Sequence, residues 1–118
     1  MNKRRSGTLG EDLACAYLKS QGFTILDRNY ARAGGEIDII AQEGAAVAFI
    51  EVKARKTVCY GTPAEAVTPA KQKRILRTAL LYAAEHHFED VPLRFDVLEV
   101  LPDEMHLIRA AFDASDLY

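Results

Sequence analysis

The segments Gly35-Glu36-Ile37-Asp38-Ile39-Ile40 and Phe49-Ile50-Glu51-Val52-Lys53 decide how this chain folds. In both segments charged residues alternate with apolar ones, and alternate residues of a β-strand point to the same face of a sheet. The pattern predicts two strands, over residues 36–41 and 46–55. Charged side chains on a half-buried strand are costly unless they are paired or bind a ligand. The charged residues of these strands are therefore predicted either to form ion pairs or to bind a ligand.

The faces of the two predicted strands follow from the same alternation. On the first strand, one face is predicted to carry Ile37, Ile39 and Ala41, and the other Glu36, Asp38 and Ile40. On the second strand, one face is predicted to carry Val47, Phe49, Glu51, Lys53 and Arg55, and the other Ala48, Ile50, Val52 and Ala54. All the charged side chains of the second strand therefore share one face.

The register between the two strands brings two carboxylates together. A two-residue turn with Gly44 first suits a type II′ hairpin, which pairs Glu43 with Ala46. Counting back from that pair places Asp38 opposite Glu51, with Cβ atoms roughly 4.5–5.5 Å apart. Two carboxylates this close repel each other unless a cation lies between them, and oxygen ligands are those that Mg²⁺ prefers. A slip of one residue would turn Glu51 to the other face and remove the pair.

Lys53 points the same way as Glu51, two residues along the strand. An ammonium group there can hold an attacking water or offset charge that builds on a phosphate. The alternative is that Lys53 bridges two carboxylates in a surface salt-bridge cluster that performs no chemistry. Spacing alone leaves both interpretations open.

The first helix is predicted over residues 9–21. Its apolar positions are Leu9, Leu13 and Tyr17 at four-residue spacing, with Ala14 and Leu18 beside them. Thr8 and Glu11 fit a capping box at its start.

The second helix is predicted to begin at Thr68-Pro69, with Thr as cap and Pro at the first position, and to end near Glu85. Its predicted core residues are Ile75, Leu76, Ala79, Leu80 and Ala83. Further strands are predicted from Phe23 toward Tyr30 and over residues 93–101 and 105–112, and a loop over residues 56–68. This order predicts an α/β fold with a mixed five-stranded sheet flanked by helices.

The length of 118 residues suits a single domain with its own core. No apolar run approaches the ~18 residues that a membrane helix needs, and no apolar stretch follows the basic N-terminus as it would in a secretory signal. We therefore expect no membrane contact and a cytoplasmic location. The two cysteines, Cys15 and Cys59, form neither a disulfide framework nor a zinc spacing.

Positive charge is concentrated in one part of the sequence. Residues 51–78 carry 7 basic and 2 acidic side chains, a net of +5, whereas residues 79–118 carry 2 basic and 9 acidic, a net of −7. The candidate contacts in this zone are Arg55, Lys71, Gln72, Lys73 and Arg74. The last four open the second helix, and a helix N-terminus with such donors is a natural phosphate contact. The zone is either a polyanion-binding surface or an ordinary solvated face, and charge alone does not separate the two.

The residues of the central strands resemble a known signature. Asp38, followed by Glu51-Val52-Lys53 on the next strand, resembles the pattern of the PD-(D/E)XK nuclease superfamily. With Gly35-Glu36-Ile37-Asp38 and Arg94-Phe95-Asp96-Val97, the chain resembles over nearly its whole length the YraN-like bacterial family, which is similar to archaeal Holliday-junction resolvases. Ile37 stands where the superfamily name has proline, a position that varies widely.

The resemblance implies a restriction-endonuclease-like fold and a metal site. Asp38 and Glu51 would ligate Mg²⁺, for which Mn²⁺ would substitute, with the Val52 carbonyl as a third ligand. Lys53 would position or help activate the nucleophilic water. Glu11 matches the family's additional helical carboxylate, which would reach the metal through water, and its alternative role is in the capping box.

The resemblance also implies a substrate and an assembly. It implies hydrolysis of DNA phosphodiester bonds, with branched DNA as the candidate substrate, and a homodimer on that substrate. Gln72 matches a position where the superfamily often has Gln or Lys near the site, and Asp96 is expected to be a satisfied structural carboxylate. Two other functions stay open: a non-catalytic nucleic-acid-binding module, and an accessory subunit of a DNA-processing complex.

Overall fold

The computed structural model describes residues 5–55 and 67–113, with side chains from residue 10 onward. In chain order the elements are α1 (Arg5–Ser20), β1 (Thr24–Arg32), β2 (Gly35–Glu43), β3 (Ala46–Ala54), α2 (Pro69–Glu85), β4 (Leu93–Val100) and β5 (Met105–Phe112). Cys59 and residues 56–66 of the predicted loop lie outside the described part of the chain.

The five strands form one sheet in the order β1-β2-β3-β4-β5. Strands β3 and β4 are parallel, and the other neighbouring pairs are antiparallel. Parallel neighbours require a crossover connection, and α2 supplies it. The predicted α/β fold with a mixed five-stranded sheet flanked by helices is confirmed.

The two helices cover opposite faces of the sheet. Val47 and Phe49 of β3 pack in the core beneath α2, whereas Ala48 and Ile50 pack in the core beneath α1. Because neighbouring residues of a strand point to opposite faces, the two cores lie on opposite sides of β3. The faces predicted for β3 are confirmed.

The start of α2 is fixed by its cap. The Thr68 hydroxyl accepts a hydrogen bond from the Lys71 backbone N–H at 3.2 Å, and Pro69 is the first helical residue. The predicted beginning and the predicted end at Glu85 are both confirmed. The prediction that Leu80 faces the core is wrong, because that side chain is 46% exposed.

Thr78 and Tyr82 fill the face of α2 on which Leu80 was expected. The Thr78 hydroxyl lies 2.9 Å from the Arg32 carbonyl oxygen and 3.0 Å from that of Arg74, so this polar group is satisfied although it is buried. The helix approaches the start of β2 so closely that a Cβ atom at Gly35 would lie 2.4 Å from the Thr78 hydroxyl. Glycine at position 35 therefore allows α2 to pack against β2.

Helix α1 buries one side of its predicted apolar face. Ala14 and Leu18 of that face are buried together with Cys15, and Tyr17 packs partly against the same core. Leu13, on the other side of the face, is 49% exposed. Glu11 precedes Ala14, Cys15 and Leu18 by three, four and seven residues, which places Glu11 on the buried stripe.

The predicted capping box of α1 is also wrong. The helix begins at Arg5, so Thr8 lies within it and not at its N-cap.

Neither helix in the described part of the chain combines the length and the apolar character that a membrane span requires.

Candidate active site

The pairing of β2 with β3 ends beside the two predicted carboxylates. The ladder runs in the predicted register from Glu43 opposite Ala46 to Ile39 opposite Ile50. Asp38 comes next, but the ladder stops one residue short of pairing it with Glu51. We call this point, where β2 separates from β3, the fork.

Beyond the end of the backbone ladder, the Asp38 side chain forms the next hydrogen bond between β2 and β3. Its Oδ2 atom accepts a hydrogen bond from the Val52 backbone N–H at 2.8 Å. That bond satisfies a backbone donor of β3 and fixes the carboxylate against the strand that carries Glu51. The two carboxylates are thus brought together through the Asp38 side chain and not through a regular cross-strand pair.

The face predicted for Ile37 is wrong. Ile37 packs with Ile40 in the core beneath α2, whereas Ile39 packs beneath α1. A regular pleat would place Ile37 and Ile39 on the same face, so the pleat of β2 is broken at Asp38.

The neighbouring strand β1 is irregular at the same level of the sheet. Arg28 pairs with Ile39 and Tyr30 with Ile37, which places Asn29 opposite Asp38. Asn29 has a φ angle of 52°, in the left-handed region that asparagine tolerates better than most residues. Both strands therefore leave the regular pleat at the fork.

Glu51 lies on β3 and is only 7% exposed. The Lys71 ammonium of α2 donates a hydrogen bond to its Oε2 atom, and the Lys53 ammonium lies 3.5 Å from the same oxygen. The structure therefore places Lys53 beside Glu51, as the shared face predicted. It adds Lys71 as a second and closer cation.

Asp38 is electrostatically unfavourable in its charged form. Burial raises the pKa of Asp38, and repulsion by Glu51 adds to it, so that the pKa reaches about 7. The Val52 N–H and the Lys71 ammonium oppose this rise, whereas Glu11 contributes to it. Carboxylates from α1, β2 and β3 thus act on one another at the fork.

Glu11 brings an unsatisfied oxygen to this region. Its Oε1 atom is buried and, within the described residues, has no hydrogen-bond partner. The nearest ion-pair contact is the Arg28 guanidinium at 3.7 Å, and Arg28 pairs more closely with Asp12 at 2.8 Å. No three acidic, His or Cys side chains of residues 5–55 and 67–113 are already gathered as a metal centre. The carboxylates influence one another electrostatically, but their oxygen atoms do not yet surround a common position for a metal ion.

The five residues predicted to contact nucleic acid have different surroundings in the structure. Gln72 donates to the Val67 carbonyl at 2.9 Å and so supports the entry to α2. The Arg55 guanidinium lies 2.9 Å from Glu99 on β4. Lys73 and Arg74 are exposed on α2. Of the five candidates, the structure brings Lys71 to the carboxylates by direct contact.

The contact between Lys71 and Glu51 was missed from the sequence, although a signal for it existed. Thr68-Pro69 marks the start of α2, so Lys71 belongs to the first helical turn. In a crossover between parallel strands, the helix begins near the carboxyl end of the strand that precedes it. Glu51 lies near the carboxyl end of β3, so a first-turn lysine could have been expected beside it.

A second charged cluster, on β2, β4 and β5, is paired within the chain. Asp96, which is completely buried, accepts from the Arg94 guanidinium at 2.9 Å and from the Ala110 N–H at 2.9 Å. Glu43 accepts from Arg94 and from Arg109, each at 2.7 Å. The expectation that Asp96 is a satisfied structural carboxylate is confirmed.

Comparison with known proteins gives one family. The family described as "Uncharacterised protein family UPF0102" matches residues 10–100. A UPF0102 protein of Symbiobacterium thermophilum is 47% identical over 116 residues, which cover 94% of this chain and 98% of the relative. A UPF0102 protein of Lachnoclostridium phytofermentans is 47% identical over 97% of this chain and 98% of its own length.

The matched range contains β1 to β4, α2 and the helical residue Glu11, so it includes every residue of the fork. A UPF0102 protein of Chlorobaculum parvum is 45% identical over 93% of both chains. The chain therefore belongs to the uncharacterised protein family UPF0102.

Proposed function

We propose that the chain is a metal-dependent endonuclease that hydrolyses DNA phosphodiester bonds, with branched DNA as its substrate class. The observation that carries the proposal is the fork. There Asp38 and Glu51 are drawn together by the bond between Asp38 and the Val52 N–H, and Lys53 lies 3.5 Å from Glu51. Two carboxylates that repel each other provide ligands for a divalent cation, and a lysine beside them can interact with a phosphate or with the attacking water.

The side chains at the fork fit a divalent cation. Glu11 has a buried oxygen without a hydrogen-bond partner among the described residues, and the pKa of Asp38 is raised first by burial and then by Glu51. Both features make the charged forms of these carboxylates unfavourable unless a cation binds them. Asp38 and Glu51 would hold Mg²⁺ or Mn²⁺ directly, with the Val52 carbonyl, and Glu11 would bind through water.

Each residue then has a distinct task. The bound cation would supply charge neutralisation at the scissile phosphate and activation of the attacking water. Lys53, on the same face as Glu51, would orient that water. The Val52 N–H holds the Asp38 carboxylate in place. Lys73 and Arg74, exposed on α2, would contact phosphates beside the cleaved bond.

The experiment that tests this proposal is a cleavage panel with purified protein. Linear duplex, single-stranded, flap and four-way-junction DNA would be incubated with Mg²⁺ or Mn²⁺. We expect metal-dependent cleavage, strongest on a branched substrate, and none in EDTA. Absence of cleavage on the whole panel, with protein that binds both metal and DNA, would contradict an endonuclease function.

A homodimer on the substrate is part of the proposal. Resolution of a branched junction requires two symmetric cuts, and two copies related by a twofold axis would supply two sites. Analytical sedimentation of the protein with and without a four-way junction measures this. A monomer of 13.1 kDa in both samples would argue against it.

A non-catalytic nucleic-acid-binding module is the second candidate function. The observation that favours it is that Glu51 is paired with the ammonium groups of both Lys71 and Lys53. Thermal unfolding separates the two candidates. An endonuclease should gain about 1.4 kcal/mol when Mg²⁺ is ~10-fold above its dissociation constant, whereas a module without a metal site should gain nothing. An accessory subunit would instead be recognised by copurification with a DNA-processing complex and by cleavage only in its presence.

A further inference from the structure

Lys71 is the closest cation to the buried carboxylate of the fork. Its ammonium donates to Glu51 Oε2, the same oxygen that lies 3.5 Å from the Lys53 ammonium. The Glu51 side chain is only 7% exposed, whereas that of Lys71 is 36% exposed. The pair therefore joins a fixed, buried anion to a cation that also reaches solvent.

The backbone of Lys71 is held while its side chain has room to turn. The Lys71 N–H is bound to the Thr68 hydroxyl in the first turn of α2. Four methylene groups separate that anchored backbone from the ammonium, which has three donors and can change partners by rotamer changes alone. Lys53 differs, because it is carried by the central strand β3 and its side chain is less exposed, at 27%.

We propose that Lys71 is an exchangeable counter-ion: it neutralises Glu51 while no divalent cation is bound, and it leaves Glu51 for a substrate phosphate when the cation binds. This inference rests on the proposed function. A divalent cation held by Glu51 would repel the Lys71 ammonium, which is hydrogen-bonded to the same carboxylate. A phosphate beside the site would accept the released ammonium.

The exchange couples the two ligands of the site. A phosphate that binds Lys71 removes a competitor from Glu51, so nucleic acid tightens cation binding. By linkage the cation tightens nucleic-acid binding by the same factor. Glu51 is therefore paired with Lys71 until the cation and the substrate bind together.

The test is the affinity for Mn²⁺ alone, followed by electron paramagnetic resonance of the free ion. Lys71→Met keeps an unbranched side chain of similar length and removes its charge. We expect it to bind Mn²⁺ about fivefold more tightly than the wild type, the size expected when one partly exposed ion pair no longer competes. Lys71→Arg should bind like the wild type. Lys19→Met, which removes an exposed lysine at the end of α1, controls for the general loss of positive charge.

A merely structural role of Lys71 predicts a different result, because a loosened site would bind Mn²⁺ equally or more weakly. Equal or weaker binding by Lys71→Met, with Mn²⁺ bound by the wild type, would overturn the exchange and leave the proposed function standing. If neither protein binds Mn²⁺, the metal site itself fails, and the inference fails with it. Tighter binding in Lys71→Met and Lys19→Met alike would assign the gain to net charge and overturn the exchange.

A second measurement uses the wild type and does not depend on the folding of a variant. Side-chain ammonium resonances of ¹⁵N-labelled protein are followed during titration with Mg²⁺. We expect the Lys71 signal to move as its ion pair with Glu51 is lost, and the signal of exposed Lys19 to stay. A Lys71 signal that does not change while Mg²⁺ binds, as detected by calorimetry, would overturn the proposal.

Discussion

Asp38 and Glu43 lie five residues apart on β2, yet their carboxylates are in opposite electrostatic states. A hydrogen bond from Arg109, with a second from Arg94, lowers the pKa of Glu43 to about 2. Burial and the nearby Glu51 raise the pKa of Asp38 to about 7. The same strand therefore carries one acid that stabilises the fold when charged and one that destabilises it.

The difference lies in the partners. In the cluster of Glu43, Arg94, Asp96 and Arg109, guanidinium groups form several hydrogen bonds to each carboxylate. At the fork, Asp38 and Glu51 repel each other, and the hydrogen-bonded cation is the flexible ammonium group of Lys71. A structural charge network is satisfied within the chain, whereas a binding site keeps an imbalance that a ligand relieves. The comparison therefore predicts that removing a carboxylate charge has opposite effects in the two clusters. At the fork it should impair cleavage but not stability, and in the paired cluster it should impair stability but not cleavage.

Cleavage should show the largest difference between the clusters. Asp38→Asn keeps the shape of the side chain and removes a charge from the proposed cation site. We expect it to lower the cleavage rate by on the order of 10³-fold, the size seen when a transition-state interaction is removed. Glu43→Gln, the matched change on the same strand, should leave the rate per folded molecule unchanged. Equal losses in both variants would show that cleavage tracks stability and not the fork.

Stability without metal should change in the opposite sense. Asp96→Asn removes a buried charge that Arg94 binds, and breaking such a pair should cost about 3 kcal/mol in the free energy of unfolding. Asp38→Asn relieves repulsion with Glu51, so the free energy of unfolding should stay the same or rise slightly. Urea unfolding in EDTA measures both. A clear loss of stability in Asp38→Asn would mean that Asp38 is a favourable partner in a salt-bridge cluster.

The sequence was sufficient for those parts of the molecule that local chemistry determines. The turn at Gly44 set the β2–β3 register, and strand alternation set the faces of β3. Thr68 and Pro69 set the start of α2. These features depend on residues close together in the sequence, so they could be predicted without knowledge of the packing.

The remaining features depend on contacts between distant residues. The fork arises where Asn29 of β1 adopts a left-handed φ opposite Asp38, and no local pattern indicates where a ladder ends. Leu13 and Leu80 lie on the predicted apolar faces of their helices yet are 49% and 46% exposed, because contact with the sheet decides which part of such a face is buried. The contact between Lys71 and Glu51 joins residues 20 positions apart, and it required the path of the crossover as well as the charge pattern.

Binding to DNA should separate exposed cations from those already bound to carboxylates. Changing Lys73 and Arg74 together to Ala should flatten the dependence of log K on log salt by about two units, because each phosphate contact releases about one counter-ion. Arg109→Ala is the matched control, since its guanidinium is bound to Glu43, and it should leave the slope unchanged. Fluorescence anisotropy with labelled duplex DNA at several salt concentrations gives the slopes. An unchanged slope in the double variant would mean that this face of α2 is merely solvated.

The pH dependence of stability in EDTA should show both clusters in one curve. The pKa of Asp38 in the folded protein, about 7, lies above its ordinary value of 3.8, so the folded state binds a proton more readily than the unfolded state. Stability should therefore rise as the pH falls from about 7 to about 4. For Glu43 the sign is reversed, because its folded pKa of about 2 lies below the ordinary value of 4.5. Its contribution is present above pH 4.5 and is lost as the pH falls toward 2.

The two variants assign each limb of that curve to one residue. Asp38→Asn should remove the rise between pH 7 and 4, and Glu43→Gln should reduce the fall below pH 4.5. Each effect should be about 1 kcal/mol, because both sites are partly open to solvent and their interactions are screened. Urea unfolding at half-unit pH intervals measures the curves, and differences between variant and wild type cancel the titration of the other acids. A rise that survives in Asp38→Asn would place the proton on another group and would remove the contrast between the fork and the paired cluster.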